Sequence, residues 1–408
     1  MGGTSFGFGI PAGFVGSRKD MSPSASYAPF IRSSVEAKMV KRTMVLTLFA
    51  CFLILGRAVL AQEAPRPNPV NFDSYDFLQF ISSAGQSPQQ IIKLDNNGDI
   101  LLACIEGSTR DQLKASSVRF VESQIELLET WRLLDEKDGI LKTAFPILDA
   151  RMSGRLRETT KAVVPALSRR LQPDVLKLVA LLDKSGRKRN AYTILFSYIL
   201  DGLVWDSFME RNLLEQRVIT AEVPLWAGEV WAVYPPRAFS MGTNSVSDKG
   251  ISLKVNWTER AIPKMIPFVA DMKTFIAMFD DYVQKGRVED AQARKVFAPF
   301  DLFDRTGRFT VPIINADSSD ALYRLSEELA WQVADGVTTL LDLKALGKEF
   351  GFRDDKQALI IAYHELMWDL MDQLESERVV QKPIAMAAPD KAKQSDIADL
   401  VFIVRKAQ

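Results

Sequence analysis

Apolar positions recur at helical spacing over most of the chain and alternate over only a few short stretches. Val118, Val121, Ile125, Leu128, Trp131 and Leu134 fall three or four apart, as do Leu322, Leu325, Leu329 and Val333. Leu359, Ala362, Leu366, Leu370 and Leu374 continue the pattern near the C-terminus. Residues 151–186 read as helical, with Leu156, Val163, Val164 and Leu167 before Pro173 and 175–182 after it. Residues 191–216 are apolar nearly all round, which predicts a central core helix kinked at Gly202. Shorter helices are expected over 75–82, 87–93, 100–106 and 109–115, and amphipathic ones over 268–284 and 288–298. By contrast Ile251, Leu253, Val255 and Trp257 alternate, the signature of a half-buried strand. The aromatic stretch 222–234 reads as its partner in a hairpin or small antiparallel sheet. Residues 300–303 and 308–314 read as a second hairpin.

Two segments share one order of elements. In the first, the helix over 109–115 breaks at Ser116 and Ser117. The longer helix from Val118 follows, and Asp138-Gly139 turns the chain into a strand over 140–148. In the second, a helix over 321–341 precedes 343–350, capped by Asp342, and then the patterned helix 354–377. Residues 378–384 and 400–405 are its candidate wing strands, joined by a polar loop. This order resembles the winged helix-turn-helix superfamily. The resemblance implies a three-helix unit with a β wing, a unit whose usual employment is DNA binding through the second helix of the pair. The expected fold is α+β and mainly helical, with two winged-helix-like units (72–150 and 318–408). They flank a central domain (151–317) of helices and small antiparallel sheets.

The N-terminus reads as an address. Basic residues Lys41 and Arg42 precede an apolar run over 44–56, and Val59 and Ala61 suit the small-x-small positions of a signal peptide. The expectation is a signal over 39–61 cleaved after Ala61, with 1–38 disordered or a mis-called start and 62–71 a Pro-rich linker. The run is shorter than the roughly 20 apolar residues of a spanning helix, so no membrane contact beyond the signal is expected.

Composition narrows the functions. Hydrophobic content of 47% with 25% charged residues is that of globular protein. The formal net charge is zero, but residues 1–61 hold seven basic and two acidic side chains. The remainder keeps 44 basic against 49 acidic residues, about −5, with no general attraction for phosphate backbones. The two amphipathic helices that would read DNA are themselves acidic. The first carries Glu122, Glu126 and Glu129; the second carries Asp355, Glu365, Asp369, Asp372, Glu375 and Glu377. Only two cysteines and one histidine are present, which excludes CxxC metal sites and two-histidine zinc chemistry. His364 precedes Glu365, but Trp368 stands where a metalloprotease helix needs its second histidine.

Candidate chemistry is sparse. Asp201 and Asp206 lie within the most apolar helix, where a carboxylate must be paired or perturbed. With Glu210 they are the candidate catalytic set for acid–base work; the alternative is a cap, a kink and an ion pair to Arg211 or Arg217. Trp226, Trp231, Tyr234 and Trp257 would line a carbohydrate or peptide groove, or else fill the core. Asn256-Trp257-Thr258 matches a glycosylation sequon, and Asp301, Asp304 and Asp317 would suit a cation or plain turns. These readings favour an exported protein-interaction or scaffold protein of the cell envelope, of bacterial type, that binds a protein partner or itself. No cofactor, metal or nucleic acid is expected. A carboxylate-dependent hydrolase is the alternative, and a DNA-binding regulator a disfavoured third.

Overall fold

In this computed structural model the described residues are 71–116, 118–237, 241–248, 250–258, 272–397 and 399–405. The expected signal segment 39–61 and the stretch 1–38 lie outside them. The fold is α+β and mainly helical. Its first strand, β1 (Asp76–Ser83), occupies a segment expected to be helical. Phe77, Leu78, Phe80 and Ile81 satisfy either period, and both faces of the strand meet apolar partners. Four short helices follow: α1 (Pro88–Ile92), α2 (Asn97–Ala103), α3 (Arg110–Ala115) and α4 (Glu122–Thr130). Thr109 caps α3 in a reciprocal box with Gln112. Then β2 (Leu134–Lys137) and β3 (Ile140–Thr143) form the expected hairpin, with Asp138 and Gly139 at φ 53° and 77° in its two-residue turn. A single bridge pairs Ser108 with Leu141.

β4 (Ile147–Leu148) leads into α5 (Ala150–Lys184), one continuous 35-residue helix that runs through Pro165 and Pro173. Proline disfavours that course, yet Leu167, Leu171 and Val175 on both sides of Pro173 are fully buried, and that packing outweighs the local cost. The next element, α6, is composite. Ala191–Thr193 and Val204–Glu210 are α-helical, and Ile194–Leu203 between them is π-helical. β5 (Trp226–Val233) then pairs antiparallel with β1 and parallel with β4.

A second sheet follows the order β6 (Met241–Asp248), β7 (Ile251–Thr258), β9 (Leu400–Val404), β8 (Ile313–Asn315), with β8 and β9 parallel. Both larger sheets are therefore mixed rather than antiparallel. The expected partnership of 222–234 with 251–257 does not form, because β5 and β7 belong to different sheets. Helices α7 (Met272–Lys285) and α8 (Ala291–Phe297) precede β8, and Phe303 bridges Phe309 where the second hairpin was expected. The C-terminal helices are α9 (Ala321–Leu340), α10 (Leu343–Phe350) and α11 (Asp355–Ser376), capped by Asp320, Asp342 and Asp354. The short α12 (Ile384–Ala387) follows.

The second wing is absent among the described residues. Residues 378–383 contain no strand, and β9 is drawn into the sheet between β7 and β8. Part of the segment 151–317 shares a core with the C-terminal helices. One apolar cluster joins Leu156, Leu167 and Val175 of α5 and Ile199 of α6 to Val333 of α9 and Leu366 of α11. The described residues belong to a single compact unit. β5 divides this cluster from the N-terminal one: Trp231 and Val233 face the first, Trp226, Val230 and Ala232 the second. β7 divides space in the same way. Ile251, Leu253 and Val255 pack on α7 and α8, so alternation turns Ser252, Lys254, Asn256 and Thr258 to the opposite face, toward α6.

Candidate functional site

A π turn inserts one extra residue per turn and recurs at functional sites. Here it widens α6 where Asp201 and Gly202 occur. The Val204 N–H reaches back to the Ile199 carbonyl, and Asp201 leaves helical geometry at φ −93°, ψ 20°. That break frees the Leu200 carbonyl, which accepts a 2.7 Å hydrogen bond from the fully buried Tyr363 hydroxyl of α11. The ring of Tyr363 meets Trp205 and Phe208 edge-on, so α11 buttresses the turn. Trp205 in turn donates its indole N–H to Asp201 at 3.2 Å and lies against Phe80.

Across from the turn, the polar face of β7 is tied to α6 by a buried network. Ser197 donates to Asn256, Thr243 bonds both at 3.1 Å, and Asn256 donates to Thr193 at 3.1 Å. Asn256 is only 6% exposed, so it does not offer the accessible amide that a glycosylation sequon needs. One alternation along the strand, Lys254 extends to the turn; its Nζ lies 3.9 Å from where a Cβ would stand at Gly202.

Five charged groups converge here. Burial pushes the Asp201 carboxyl above its ordinary range, opposed by Lys254, the Trp205 N–H, His364 and Thr243. Burial likewise raises Asp206, opposed by Lys254, Arg405 and Arg217. It lowers Lys254 against the pull of Asp201 and Asp206, with Arg405 adding to the lowering. Arg217 is lowered by burial against the same two carboxylates. Its guanidinium stacks 3.8 Å over Phe80. Asp201, Gly202, Lys254 and Arg217 are half-buried, and Asp206 and Arg405 are exposed. Asp201 is therefore enclosed but keeps partial solvent contact, and Asp206 lies on the solvent side of the group.

These charges do not pair with one another. Among the described residues, no contact of 4 Å or less joins Lys254, Arg217 or Arg405 to Asp201 or Asp206. Two other enclosed carboxylates, Glu365 and Asp174, behave differently. Glu365, 2% exposed, is held by Arg157 at 2.8 Å and Arg237 at 2.9 Å, and Arg237 also grips Asp369 at 3.0 Å. Burial would raise Glu365, but His364, Arg237 and Arg157 outweigh it and hold the carboxyl well below its usual range. Asp174 pairs with Lys177 at 2.6 Å.

Sequence reasoning singled out Asp201 and Asp206, and the fold brings them together. Glu210 is exposed at the end of α6, facing Tyr323, and does not join them. The four aromatic candidates do not assemble a groove. Trp226 is buried with its N–H on the Trp131 carbonyl, Trp231 is buried against His364, and Tyr234 meets Tyr75 at a tilt. Trp257 lies on β7, in the other sheet. Asp304 and Asp317 accept turn N–H groups, and among the described residues no group of three or more metal-ligating side chains is found. Lys254 was missed. A polar residue on an alternating strand reads as solvent-facing, and only the packing of α6 shows otherwise. No protein-family model, curated protein or solved structure matches this chain.

Proposed function

We propose that the protein is exported, losing a signal over 39–61 after Ala61, and that its body binds a small anionic molecule at the Asp201–Lys254 site and performs acid–base chemistry on it. The observation that carries the reading is the set of unpaired charges. An enclosed ion without a partner costs several kcal/mol, and structural ion networks are relieved by direct pairing, as Glu365 is here. Basic side chains outnumber the two carboxylates here, Lys254, Arg217 and Arg405 against Asp201 and Asp206, and this excess suits an anion. Groups displaced from their ordinary ionisation in an accessible cluster mark functional sites more often than structural ones. Asp201, pinned by Trp205, and the more open Asp206 supply acid and base; Glu210 drops out of the set.

Calorimetric titration of the full chain with phosphate, succinate and glyoxylate tests this reading. Binding of at least one, lost in Lys254→Met and Arg217→Met, is the expected result; heats that are nil for all three would sink it.

A second reading keeps the interaction or scaffold role. An open groove of about 400 Å³ between α5 and α9, lined by Lys177, Leu181, Lys184, Arg324 and Leu325, favours it, as does the exposed indole of Trp331 nearby on α9. It expects self-association in sedimentation experiments that Trp331→Ser abolishes. The winged-helix reading is retained for the N-terminal unit alone, on the order α2, α3, α4 and hairpin. The exposed side of α4 carries Glu122 and Glu126, which suits a protein contact better than a phosphate backbone.

A further inference from the structure

We propose that Lys254 is a nucleophilic amine that condenses with small aldehydes or ketones carrying an anionic group, which Arg217 and Arg405 receive. The inference deepens the reading of the site given above and rests on it. Lys254 stands mid-strand on β7, in register with Ser245 of β6 and Val401 of β9, so its backbone is fixed from both sides. Its amine ends against Gly202 at the π turn, where the absence of a side chain leaves room beside the nitrogen. The amine makes no hydrogen bond or ion pair among the described residues, and it keeps solvent contact. Lysines with a structural duty in this protein are engaged: Lys177 on Asp174 at 2.6 Å, Lys285 on Glu289 at 2.9 Å, Lys382 on Glu375 at 3.0 Å.

An amine attacks only as the free base, and desolvation beside another cation favours that form. Burial and Arg405 act in that direction on Lys254, and the net displacement is downward despite the two carboxylates. The carboxylates have their own use. The Nζ lone pair forms a bond to the carbonyl carbon while the C=O π pair moves to oxygen, which takes a proton from a neutral carboxyl. The nitrogen returns a proton to that carboxylate. The carbinolamine then loses its hydroxyl as water, with a second proton from the carboxyl, and the protonated imine forms. Amine plus carbonyl gives imine plus water, so no oxidant or reductant enters. Asp201 is held in place by Trp205 for the inner transfers, and Asp206 on the solvent side exchanges protons with solvent.

The test is reductive trapping. The full chain is incubated with glyoxylate and sodium cyanoborohydride at neutral pH, and labelling of each lysine is followed by peptide mass spectrometry. Lys254, desolvated beside Arg405, is expected to label severalfold faster than exposed Lys114 and Lys188. Arg217→Met should slow trapping of glyoxylate more than trapping of propionaldehyde, which has no anion to hold. Labelling of Lys254 no faster than the exposed lysines overturns the proposal. If glyoxylate binds by calorimetry without that labelling, the nucleophile falls and the anion site stands. If phosphate, succinate and glyoxylate all fail to bind and glyoxylate does not label Lys254, both fall.

Discussion

Replacing Asp399 by Asn should remove a large pH dependence of stability. Asp399 immediately precedes β9 and is 6% exposed. Burial raises its carboxyl from 3.8 to about 7, against the pull of Thr193, Asn190 and Arg189. Its Oδ1 receives only a long 3.4 Å bond from Asn190, and its Oδ2 has no partner among the described residues. Between the two values the folded chain holds a proton that the unfolded chain has released. Stability therefore falls as pH rises from about 4 to about 7, at up to about 1.4 kcal/mol per pH unit, and this contribution is flat above. Over about three units the ceiling is about 4 kcal/mol, which internal hydration and relaxation reduce to about 2–4 kcal/mol. Asn keeps the shape and the acceptor but cannot ionise. Urea unfolding of both proteins from pH 4.5 to 8.5 gives the difference in stability at each pH, in which the common titrations of Asp201 and Asp206 cancel. The variant should gain on the wild type steadily up to about pH 7 and hold the gain beyond. Parallel curves would refute the argument, because they would mean that Asp399 ionises as freely when folded as when unfolded.

Other perturbations have equally definite outcomes. Gly228 in β5 has φ +127°, and a Cβ there would lie 2.2 Å from the Phe80 carbonyl oxygen of β1. Gly228→Ala should thus cost at least about 3 kcal/mol through strain and lost pairing, and an unchanged melting temperature would contradict this. Arg237→Ala leaves Glu365 with Arg157 as its remaining arginine and Asp369 without its guanidinium. A loss of about 3–5 kcal/mol is expected in denaturant unfolding, larger at neutral pH than in acid, where Glu365 without Arg237 can protonate. Gly336 of α9 meets Leu167 of α5, with a Cβ placed 2.6 Å from its Cδ1. Gly336→Ala sets overpacking of about 1–3 kcal/mol against a helix-propensity gain of about 1 kcal/mol, so a net loss of up to about 2 kcal/mol should appear as a lower melting temperature.

Local signals carried the C-terminal helices and the first hairpin. Asp320, Asp342 and Asp354 cap α9, α10 and α11 where an acid precedes an apolar period, and Asp138-Gly139 sits in the turn its type demands. What depended on distant partners was not legible. β1 reads equally as helix until β5 supplies its hydrogen bonds. That the helix over 151–186 runs unbroken through Pro173 depends on α9 and α11, which pack along α5 and bury its neighbours. The second wing fails for the same reason: β9 has the apolar residues of any strand, and β7 and β8 claim it. In the site, two carboxylates on an apolar helix were visible in one stretch, whereas Lys254 and Arg405 come from remote strands. Arg217 was visible as an ion-pair partner; the structure makes it an electrostatic neighbour instead.

The position of the site within the fold follows from the polar face of β7. A strand with Ser252, Lys254, Asn256 and Thr258 on one face normally turns it to water. Here α6, the most apolar helix of the body, lies across it, and each polar group then needs a partner from that helix. Thr193 and Ser197, four residues apart, answer Asn256 with good hydrogen bonds. The next residue at that spacing is Asp201, and a regular α turn would continue the series toward the strand. The π turn interrupts it: Asp201 is bound by Trp205 of its own helix, and Lys254 is left without an ion pair. A regular helix with a direct Asp201–Lys254 bridge would relieve both charges at the cost of their reactivity. Converting the turn to regular helix, by deleting one residue between Ser197 and Asp201, should therefore raise the melting temperature if the bridge forms. It should also abolish anion binding and Lys254 labelling together. A deletion that leaves labelling intact would show that the π geometry is incidental to the amine, and the kink would then need another explanation.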